Sequence, residues 1–387
     1  MNSAEHRFAE SEKPGLYERL GLRLFHHLVK TRKITTLPLN DDERLASIRR
    51  LFIWSSLAAF VIGALSAWGS VATEQLYPEN SCEILASDSC IEKYSSVAAV
   101  TLGLTIIEFS VLIWVSVYVV FRVSIITGRT GDEDEKELFS QVPTLLSRAA
   151  LEIPDPVRHI LGIDPMQKVS KKKLLLFGIF YKLKVLLSNV LAKLIMRRVL
   201  GKSVFRVSTD FIAVPVTGLW NSLVIFKVTR EAILRSFGYY LAIHIARIEL
   251  TEEKIGKLSP LAKLCCLQAV GNSIVLTQNY HPNMVFLLLQ LTKVIPHDQD
   301  KQLDNWEEFL HNCSLISEKE RYFVMDLLAV AAAFDGKISR MEKQKLGELF
   351  GDYTGVYFTR IRKLTRLMSS GRLDEAKNEC RIDFEAG

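Results

Sequence analysis

The chain has 387 residues, of which 49% are hydrophobic, and it carries a formal net charge of +6. This length predicts two or three domains, and the high hydrophobic fraction excludes an intrinsically disordered protein. The mean hydropathy of +0.16 is above that of a typical soluble domain, so membrane segments have to be considered first.

The first 50 residues are predicted to form a cytoplasmic segment with a basic amphipathic helix. Leu16, Leu20, Leu24 and Leu28 recur every four residues, and arginine and lysine residues are interleaved among them. A helix with this pattern is expected to lie at the membrane surface, with its basic side chains near the lipid headgroups.

Two long apolar segments predict a transmembrane hairpin over residues 51–128. Residues 51–72 contain no charged side chain, and residues 97–121 contain only one, Glu108. At about 1.5 Å per residue, each segment is long enough to cross a hydrocarbon core of about 30 Å. Buried helices of a soluble core are the alternative, but both segments are too long and too uniformly apolar for that role.

Lysine and arginine indicate the orientation of this hairpin. They are frequent on both flanks, whereas the intervening loop, residues 73–96, contains only Lys93. The positive-inside rule therefore predicts a two-pass protein of the plasma (inner) membrane with both termini in the cytoplasm. Cys82 and Cys90 lie in the outside loop, where an oxidising compartment favours a disulfide over two free thiols.

Two features of the spans suggest helix contacts. Ala59, Gly63 and Ala67 form a stripe of small residues, which predicts close approach to the second span, to a second copy or to another protein partner. Glu108 lies near the middle of the second span, where a charge is costly. It is interpreted as a protonated glutamate hydrogen-bonded within the helix pair, or as a proton or cation site that faces water. The first interpretation is favoured because no basic residue accompanies it within the spans.

Residues 129–167 are acidic and contain four prolines, which predicts a linker. The following module, residues 168–250, is basic: residues 165–250 hold 15 basic and three acidic side chains. Large aliphatic residues alternate with the basic ones, which favours lipid headgroups over nucleic acid as their partner. The predicted headgroup contacts are Lys171, Lys172, Lys173, Lys182, Lys193, Arg197 and Arg198.

Within this module, Phe211–Phe226 has no charged residue and leaves two alternatives open. One is a helix embedded at the cytoplasmic face, and the other is a re-entrant hairpin around Pro215. Residues 201–238 resemble the last part of EcsC-type proteins, which have a Pro–Gly turn, an asparagine and a closing helix. The resemblance implies membrane association and gives no chemistry. The matching positions are Pro215, Gly218, Asn221, Ala232 and Phe237.

Residues 251–387 show only helical patterns. Ser259 before Pro260 is a strong helix start, as is the proline after His281. Two further starts, at Ser317 and Ser339, have glutamate three residues later and fit the capping box. The four cysteines of this region have no CxxC spacing and are expected to be small packing residues. They are Cys265, Cys266, Cys313 and Cys380.

The segment Ala331–Ser339, AAAFDGKIS, contains an Asp-Gly pair between two predicted helices. A standard calcium loop is excluded, because Ala331 and Ala333 stand where two oxygen ligands are required. A structural turn followed by the cap of the next helix is favoured over metal binding.

The same segment is similar to the TerB-like (tellurite-resistance) domain. The hallmark is an alanine-rich helix followed by DG, a hydrophobic residue, serine and glutamate, here Asp335, Gly336, Ile338, Ser339 and Glu342. The resemblance implies a helical bundle, and in some members acidic residues bind a metal. Asp335 and Glu342 are the only positions that match such a site.

The sequence therefore predicts an all-α protein with two transmembrane helices, a membrane-associated helical module and a TerB-like bundle. It resembles bacterial membrane proteins, and a non-enzymatic membrane-anchored adaptor or sensor is the expected function. A role in envelope or metal stress is implied by the TerB resemblance alone. No catalytic triad spacing, phosphate loop or paired catalytic carboxylates are evident, and no cofactor is expected. No nucleic acid is expected as a partner, because large aliphatic residues alternate with the basic ones. The alternative is a channel or transporter subunit that uses Glu108 and a hairpin around Pro215.

Overall fold

The computed structural model describes residues 16–31, 39–76, 88–127, 163, 206–278, 281–296 and 301–384. For some of them, including 88–97 and 206–213, only the helical backbone is described. Within these ranges the regular elements are helices, as the sequence predicts. They are α1 (Leu16–Thr31), α2 (Asp41–Gln75), α3 (Asp88–Ile126), α4 (Arg206–His244), α5 (Glu252–Gly256), α6 (Pro260–Thr277), α7 (Pro282–Val294), α8 (Trp306–Leu315), α9 (Glu318–Ala333), α10 (Arg340–Phe350), α11 (Thr354–Ser370) and α12 (Leu373–Glu379), with a π-helical turn at Ile245–Glu249 and a 3₁₀ turn at Gly351–Tyr353.

Three of these helices are long and apolar enough to cross a membrane. They are α2 over Asp41–Thr73, α3 over Ala98–Ile126, and α6. Helices α2 and α3 contain the two predicted spans. Helix α6 differs, because 78% of its most apolar 18 residues are buried, compared with 28% in α2 and 50% in α3. Since α6 packs against α7, α8 and α9, it is the central helix of the C-terminal bundle.

The chain forms two compact units that do not follow the order of the sequence. One, which we call the span unit, comprises residues 49–119 and 170–229. The other, the bundle unit, comprises residues 1–48, 120–169 and 230–387. Helix α1 and the later part of α4 therefore belong to the bundle unit, whereas sequence patterns alone predicted a domain boundary at residue 251.

Helix α4 continues through Pro215 without interruption. The hairpin around Pro215 that the sequence suggested is therefore wrong. A proline removes one backbone donor, but membrane helices tolerate it when neighbouring helices hold the segment in place. Pro215 lies on the exposed side of α4, whereas Thr217 and Asn221 on the opposite side are buried.

The helix starts of the bundle unit are set by side-chain caps. The side chain of Ser259 accepts a hydrogen bond from the backbone at the start of α6. Complete capping boxes begin α9, at Ser317 and Glu320, and α10, at Ser339 and Glu342. These sequence predictions are confirmed, because a cap depends only on residues within one helical turn.

Helix α1 has the amphipathic character that its leucine spacing predicts. Phe25 is 2% exposed and packs edge to face against Phe121, with the ring centroids 6.1 Å apart. Leu28 is also buried, whereas Arg23 and Lys30 are exposed. Phe25 and Leu28 of α1 are therefore covered within the bundle unit.

Candidate functional site

The span unit contains a buried polar pair formed by the two residues Glu108 and Asn221. Nδ2 of Asn221 donates a hydrogen bond of 2.8 Å to Oε1 of Glu108. The side chains belong to α3 and α4, and the residues are 2% and 0% exposed. A polar group without a partner at such a site would cost about 1–3 kcal/mol, so this hydrogen bond ties the two helices together.

Small residues bring α2 and α4 into close contact beside this pair. A Cβ atom added to Gly63 would lie 2.9 Å from the carbonyl oxygen of Thr217 and would also overlap Asn221. In the same way, a Cβ atom on Gly218 would lie 2.8 Å from the carbonyl oxygen of Phe60. The two glycines therefore permit an approach that a side chain would block.

A second contact between α2 and α4 is a hydrogen bond from a side chain to the backbone. Oγ of Ser222 donates 2.6 Å to the carbonyl oxygen of Ser56. One turn further along, the rings of Phe52 and Phe226 pack with centroids 5.1 Å apart. These contacts pair later residues of α4 with earlier residues of α2, so the two helices are antiparallel.

The stripe of small residues on α2 is covered within the chain. Ala59 is 0% exposed, Ala67 is 7% exposed, and Gly63 packs against α4 rather than α3. The sequence predicted that this stripe docks the second span, a second copy or another protein partner. At Gly63 the nearest atoms belong to α4, which the sequence did not predict, and a contact with a second copy or another protein stays a prediction.

The geometry of Glu108 favours a structural role. A carboxyl group that is 2% exposed and hydrogen-bonded to a neutral amide is stabilised by that amide, as expected for a polar contact between membrane helices. A proton or cation path would instead require Glu108 to face water. The interpretation of a hydrogen-bonded glutamate is therefore supported, with the difference that its partner comes from α4.

A second polar cluster lies in the bundle unit, around Glu231. Nε of Arg235 donates 2.8 Å to Oε1 of Glu231, and Nε2 of His281 lies 3.8 Å from the same oxygen. Burial opposes the ionisation of Glu231, but His281 and Arg235 outweigh it and hold the pKa of this carboxyl well below its usual range. The cluster joins the second half of α4 to the start of α7.

The Asp-Gly turn lies beside this cluster, and each of its residues has a structural role. Oδ1 of Asp335 accepts a 2.9 Å hydrogen bond from the backbone of Lys337. Gly336 has φ +73°, and a Cβ atom there would lie 2.8 Å from the side chain of Leu234. Only glycine suits both the left-handed backbone and the close approach. The turn is therefore shaped by its packing against α4.

The two predicted metal ligands, Asp335 and Glu342, accept hydrogen bonds within this turn and within the helix cap that follows it. Oε2 of Glu342 accepts a 2.6 Å hydrogen bond from the backbone of Ser339. Burial raises the pKa of both Asp335 and Glu342, which makes their ionised forms less favourable. In the part of the chain that the structure describes, no group of three or more His, Cys, Asp or Glu side chains could hold a metal. The metal site stays a prediction without a structural observation in its favour.

The four C-terminal cysteines are free and buried. Burial raises the pKa of the Cys266 and Cys380 thiols, and a hydrogen bond with Cys265 together with burial raises that of Cys313. Thiols of this kind are poor nucleophiles, which agrees with the predicted packing role. Other predicted site residues have side chains outside the described residues: Cys82, Cys90, Lys171, Lys172, Lys173, Lys182, Lys193, Arg197 and Arg198.

Sequence reasoning missed the partner of Glu108. Asn221 is 113 positions away along the chain, and no local pattern reports such a contact. One signal was available: Thr217, Gly218 and Asn221 lie about one turn apart in the uncharged segment Phe211–Phe226 of α4, which is typical of a packed membrane-helix face. The EcsC resemblance singled out Gly218 and Asn221 but assigned them no role.

Comparisons with known proteins found no match: no family model, no curated protein and no solved structure is significantly similar to this chain. The EcsC and TerB resemblances therefore rest on the residues quoted for them.

Proposed function

We propose that the protein is a membrane-anchored adaptor or sensor without enzymatic activity, whose helical bundle acts at the cytoplasmic face. The topology belongs to the same proposal: both termini are cytoplasmic and residues 73–96 lie outside. The TerB resemblance extends the proposal to envelope or metal stress. One structural observation carries it: residues at one end of each of the helices α2, α3 and α4 are part of the packed bundle unit.

The start of α2 is fixed to the last helix of the chain. The carboxylate of Asp41 accepts hydrogen bonds of 3.1 Å from the backbone of Asp374 and Glu375, and so caps the N-terminus of α12. Nη1 of Arg44 donates 2.9 Å to the carboxylate of Asp374. Ile48 is 2% exposed and lies against Gly371. A movement of α2 therefore changes contacts at the C-terminus of the chain.

The later parts of α3 and α4 are held in the same unit. The hydroxyl groups of Thr127 and Ser236 are hydrogen-bonded at 2.8 Å, and both residues are buried. Nδ2 of Asn283, at the start of α7, donates to the carbonyl oxygens of Leu234 and Phe334 at 3.0 and 3.2 Å. A bundle connected in this way to α2, α3 and α4 suits a protein that reports the state of a membrane helix to a cytoplasmic partner.

The alternative is a channel or transporter subunit, and ion flux separates it from the adaptor. The full-length protein would be reconstituted into lipid vesicles, and proton and potassium flux measured against protein-free vesicles. An adaptor leaves both fluxes at the background level. Flux that is abolished in a Glu108→Leu variant but retained in a variant at an exposed position, Leu102→Ala, would establish the alternative.

The adaptor itself is tested by photo-crosslinking in cells. A photoreactive residue would replace Val356, which is exposed on α11 of the bundle unit, and a second variant would carry it at Leu57 on α2. The proposal predicts a discrete protein adduct from position 356 that is recovered again when the identified partner carries the tag. The proposal would be contradicted if positions 356 and 57 gave the same adducts. It would also be contradicted if neither position 356 nor other exposed positions of α8 and α11 gave any adduct.

A further inference from the structure

The described first half of α4, residues 214–229, exposes a stripe of large apolar side chains. Leu219, Leu223 and Phe226 are 57%, 53% and 47% exposed, and their spacing of four and three residues places them on one face. Trp220, beside this stripe, is 42% exposed. A soluble protein rarely leaves such a continuous apolar face in contact with water.

The opposite face of the same helix is small and polar, and it is buried. Thr217, Gly218 and Asn221 pack against α2 and α3 through the contacts around Gly63 and Glu108. This is the reverse of an amphipathic helix at a water-facing surface, whose apolar stripe would face the protein. Small and polar residues at the helix contacts, with large apolar residues outside, are typical of a helix surrounded by lipid.

The contacts also give the depth of this helix. Gly63 is twelve residues after Leu51 and nine before Ala72, the two ends of the uncharged segment of α2. At about 1.5 Å per residue, Gly63 lies roughly 18 Å and 14 Å from these ends, which is the centre of a hydrocarbon core of about 30 Å. Asn221, which touches this position, lies at the same depth.

We infer that residues 214–229 of α4 form a third membrane helix, with lipid acyl chains as the partner of the Leu219, Leu223 and Phe226 face. The inference rests on the proposed membrane location of α2 and α3, and it replaces the predicted two-pass topology. Since α4 is antiparallel to α2, its later end lies on the cytoplasmic side where α2 begins, and the number of membrane crossings exceeds two. It also gives Glu108 and Asn221 a common function as the polar contact that fixes α4 between the two spans.

Quenching of tryptophan fluorescence by brominated lipids tests the inference. The full-length protein would be reconstituted into phosphatidylcholine vesicles brominated near the middle of the acyl chains. Trp306, which is fully buried in the bundle unit, is kept in every variant as an internal reference. Phenylalanine replaces the other tryptophans, so that one variant retains Trp220, a second retains Trp68 on α2, and a third retains Trp306 alone.

The inference predicts that brominated lipid removes most of the Trp220 contribution and leaves Trp306 unchanged. If Trp68 is quenched while Trp220 behaves like Trp306, the third membrane helix is refuted and the membrane anchor stands. If neither is quenched, the membrane anchor itself fails. If Trp220 is protected and a Leu223→Cys variant forms a disulfide-linked dimer, a second copy covers the face and the assignment to lipid is wrong.

Discussion

The span unit and the bundle unit differ in how many large apolar side chains they leave exposed. Among the described residues, 17 large hydrophobic side chains of the span unit are exposed, compared with four in the bundle unit. Both units bury polar side chains, for example Glu108 and Asn221 in the span unit and Asp326 in the bundle unit, beside apolar ones such as Trp306, so the exposed surface is what distinguishes them. The exposed residues of the span unit are Ile53, Trp54, Leu57, Val61, Leu65, Trp68, Leu76, Val100, Leu102, Ile106, Ile107, Phe109, Trp114, Leu219, Trp220, Leu223 and Phe226.

This difference indicates which medium, lipid or water, surrounds each unit. In water, folding is driven by burial of apolar surface, at about 25 cal/mol per Å². In lipid that force is absent between helices, so close packing and polar contacts hold them together. The two units should therefore respond differently to the same kind of substitution, and four predictions use this, from the largest expected effect to the smallest.

The largest effect is expected from a buried ion pair in the bundle unit. Arg360 pairs with Asp326, whose side chain is 3% exposed, and Nε of Arg360 also donates 3.1 Å to the carbonyl oxygen of Glu379. Arg360→Ala leaves the carboxylate of Asp326 buried without its charged partner, so the free energy of unfolding should fall by about 3–5 kcal/mol. Urea unfolding of the detergent-solubilised protein, followed by Trp306 fluorescence, measures it.

The matched control for this substitution is Lys257→Ala. Lys257 pairs with Glu253 on the surface, where the two side chains are 60% and 80% exposed. Its removal should change the free energy of unfolding by less than about 0.5 kcal/mol, because an exposed pair is solvated and screened. Equal effects of the two substitutions would contradict the buried position of Asp326.

Close packing in the span unit is tested by Gly63→Ala. The added methyl group meets the backbone of Thr217, which cannot yield as a side chain does, so a loss of about 1–3 kcal/mol is expected. Gly103→Ala is the control, because a Cβ atom there has no neighbour within 4 Å. That variant should be neutral or slightly more stable. Thermal unfolding in detergent compares them, and similar melting temperatures would refute the contact of α2 with α4.

Acid should weaken the bundle unit through Glu231. The pKa of its carboxyl is lowered in the folded state from a usual value near 4.5, because His281 and Arg235 outweigh the effect of burial. The stabilisation is therefore present above about pH 4.5 and is lost as the pH falls below it. Since the side chain is 37% exposed, the contribution is reduced by solvent to about 1 kcal/mol.

The measurement for this prediction is the melting temperature between pH 3 and 6. Glu231→Gln should flatten the decline on the acid side, whereas Glu252→Gln, which removes an exposed carboxylate on α5, should leave the curve unchanged. A Glu231→Gln curve parallel to that of the wild type would show that the His281 and Arg235 contacts do not stabilise the charged carboxylate.

The smallest effect is expected from Glu108→Gln, at the polar pair of the span unit. Glu108→Gln keeps an acceptor for Nδ2 of Asn221, so the free energy of unfolding should change by less than about 0.6 kcal/mol. Glu108→Leu leaves that amide without this acceptor and should cost about 1–2 kcal/mol more. Thermal unfolding of the two variants in detergent shows whether the pair needs only a polar contact or a charged carboxylate. A large loss of stability in Glu108→Gln would show that the charge is required.

Local patterns in the sequence were sufficient to predict the helices of the described residues, two helices long and apolar enough to cross a membrane, and the capping boxes at Ser317 and Ser339. Each depends on residues within one turn or one segment. The sequence could not predict that α1 and the later part of α4 belong to the bundle unit, because packing between distant segments decides this. At Pro215 the sequence left a break and a continuous helix open, and the structure shows the continuous helix, which the tertiary contacts of Thr217 and Asn221 stabilise.

The candidate site also has parts that the sequence predicted and parts that only the fold reveals. Glu108 was identified because a charge in an apolar span is conspicuous, but its meaning depended on Asn221, which sequence alone did not connect to it. In the Asp-Gly turn, the structural interpretation was favoured from the sequence and is supported by the left-handed Gly336 beside Leu234. His281 was noted only as the residue before a proline, and its place next to Glu231 arises from the fold.

Cysteine accessibility in native membranes tests the central claim, that the span unit is surrounded by lipid and the bundle unit by water. Leu65→Cys and Leu102→Cys place thiols on the exposed face of the span unit, and Val356→Cys places one on the bundle unit, all with Cys82 and Cys90 replaced by serine. A maleimide reacts with the thiolate, which does not form in hydrocarbon. On inside-out vesicles, position 356 should therefore react while positions 65 and 102 react only after denaturation. Reaction of positions 65 and 102 from the aqueous phase at the rate of position 356 would contradict the account.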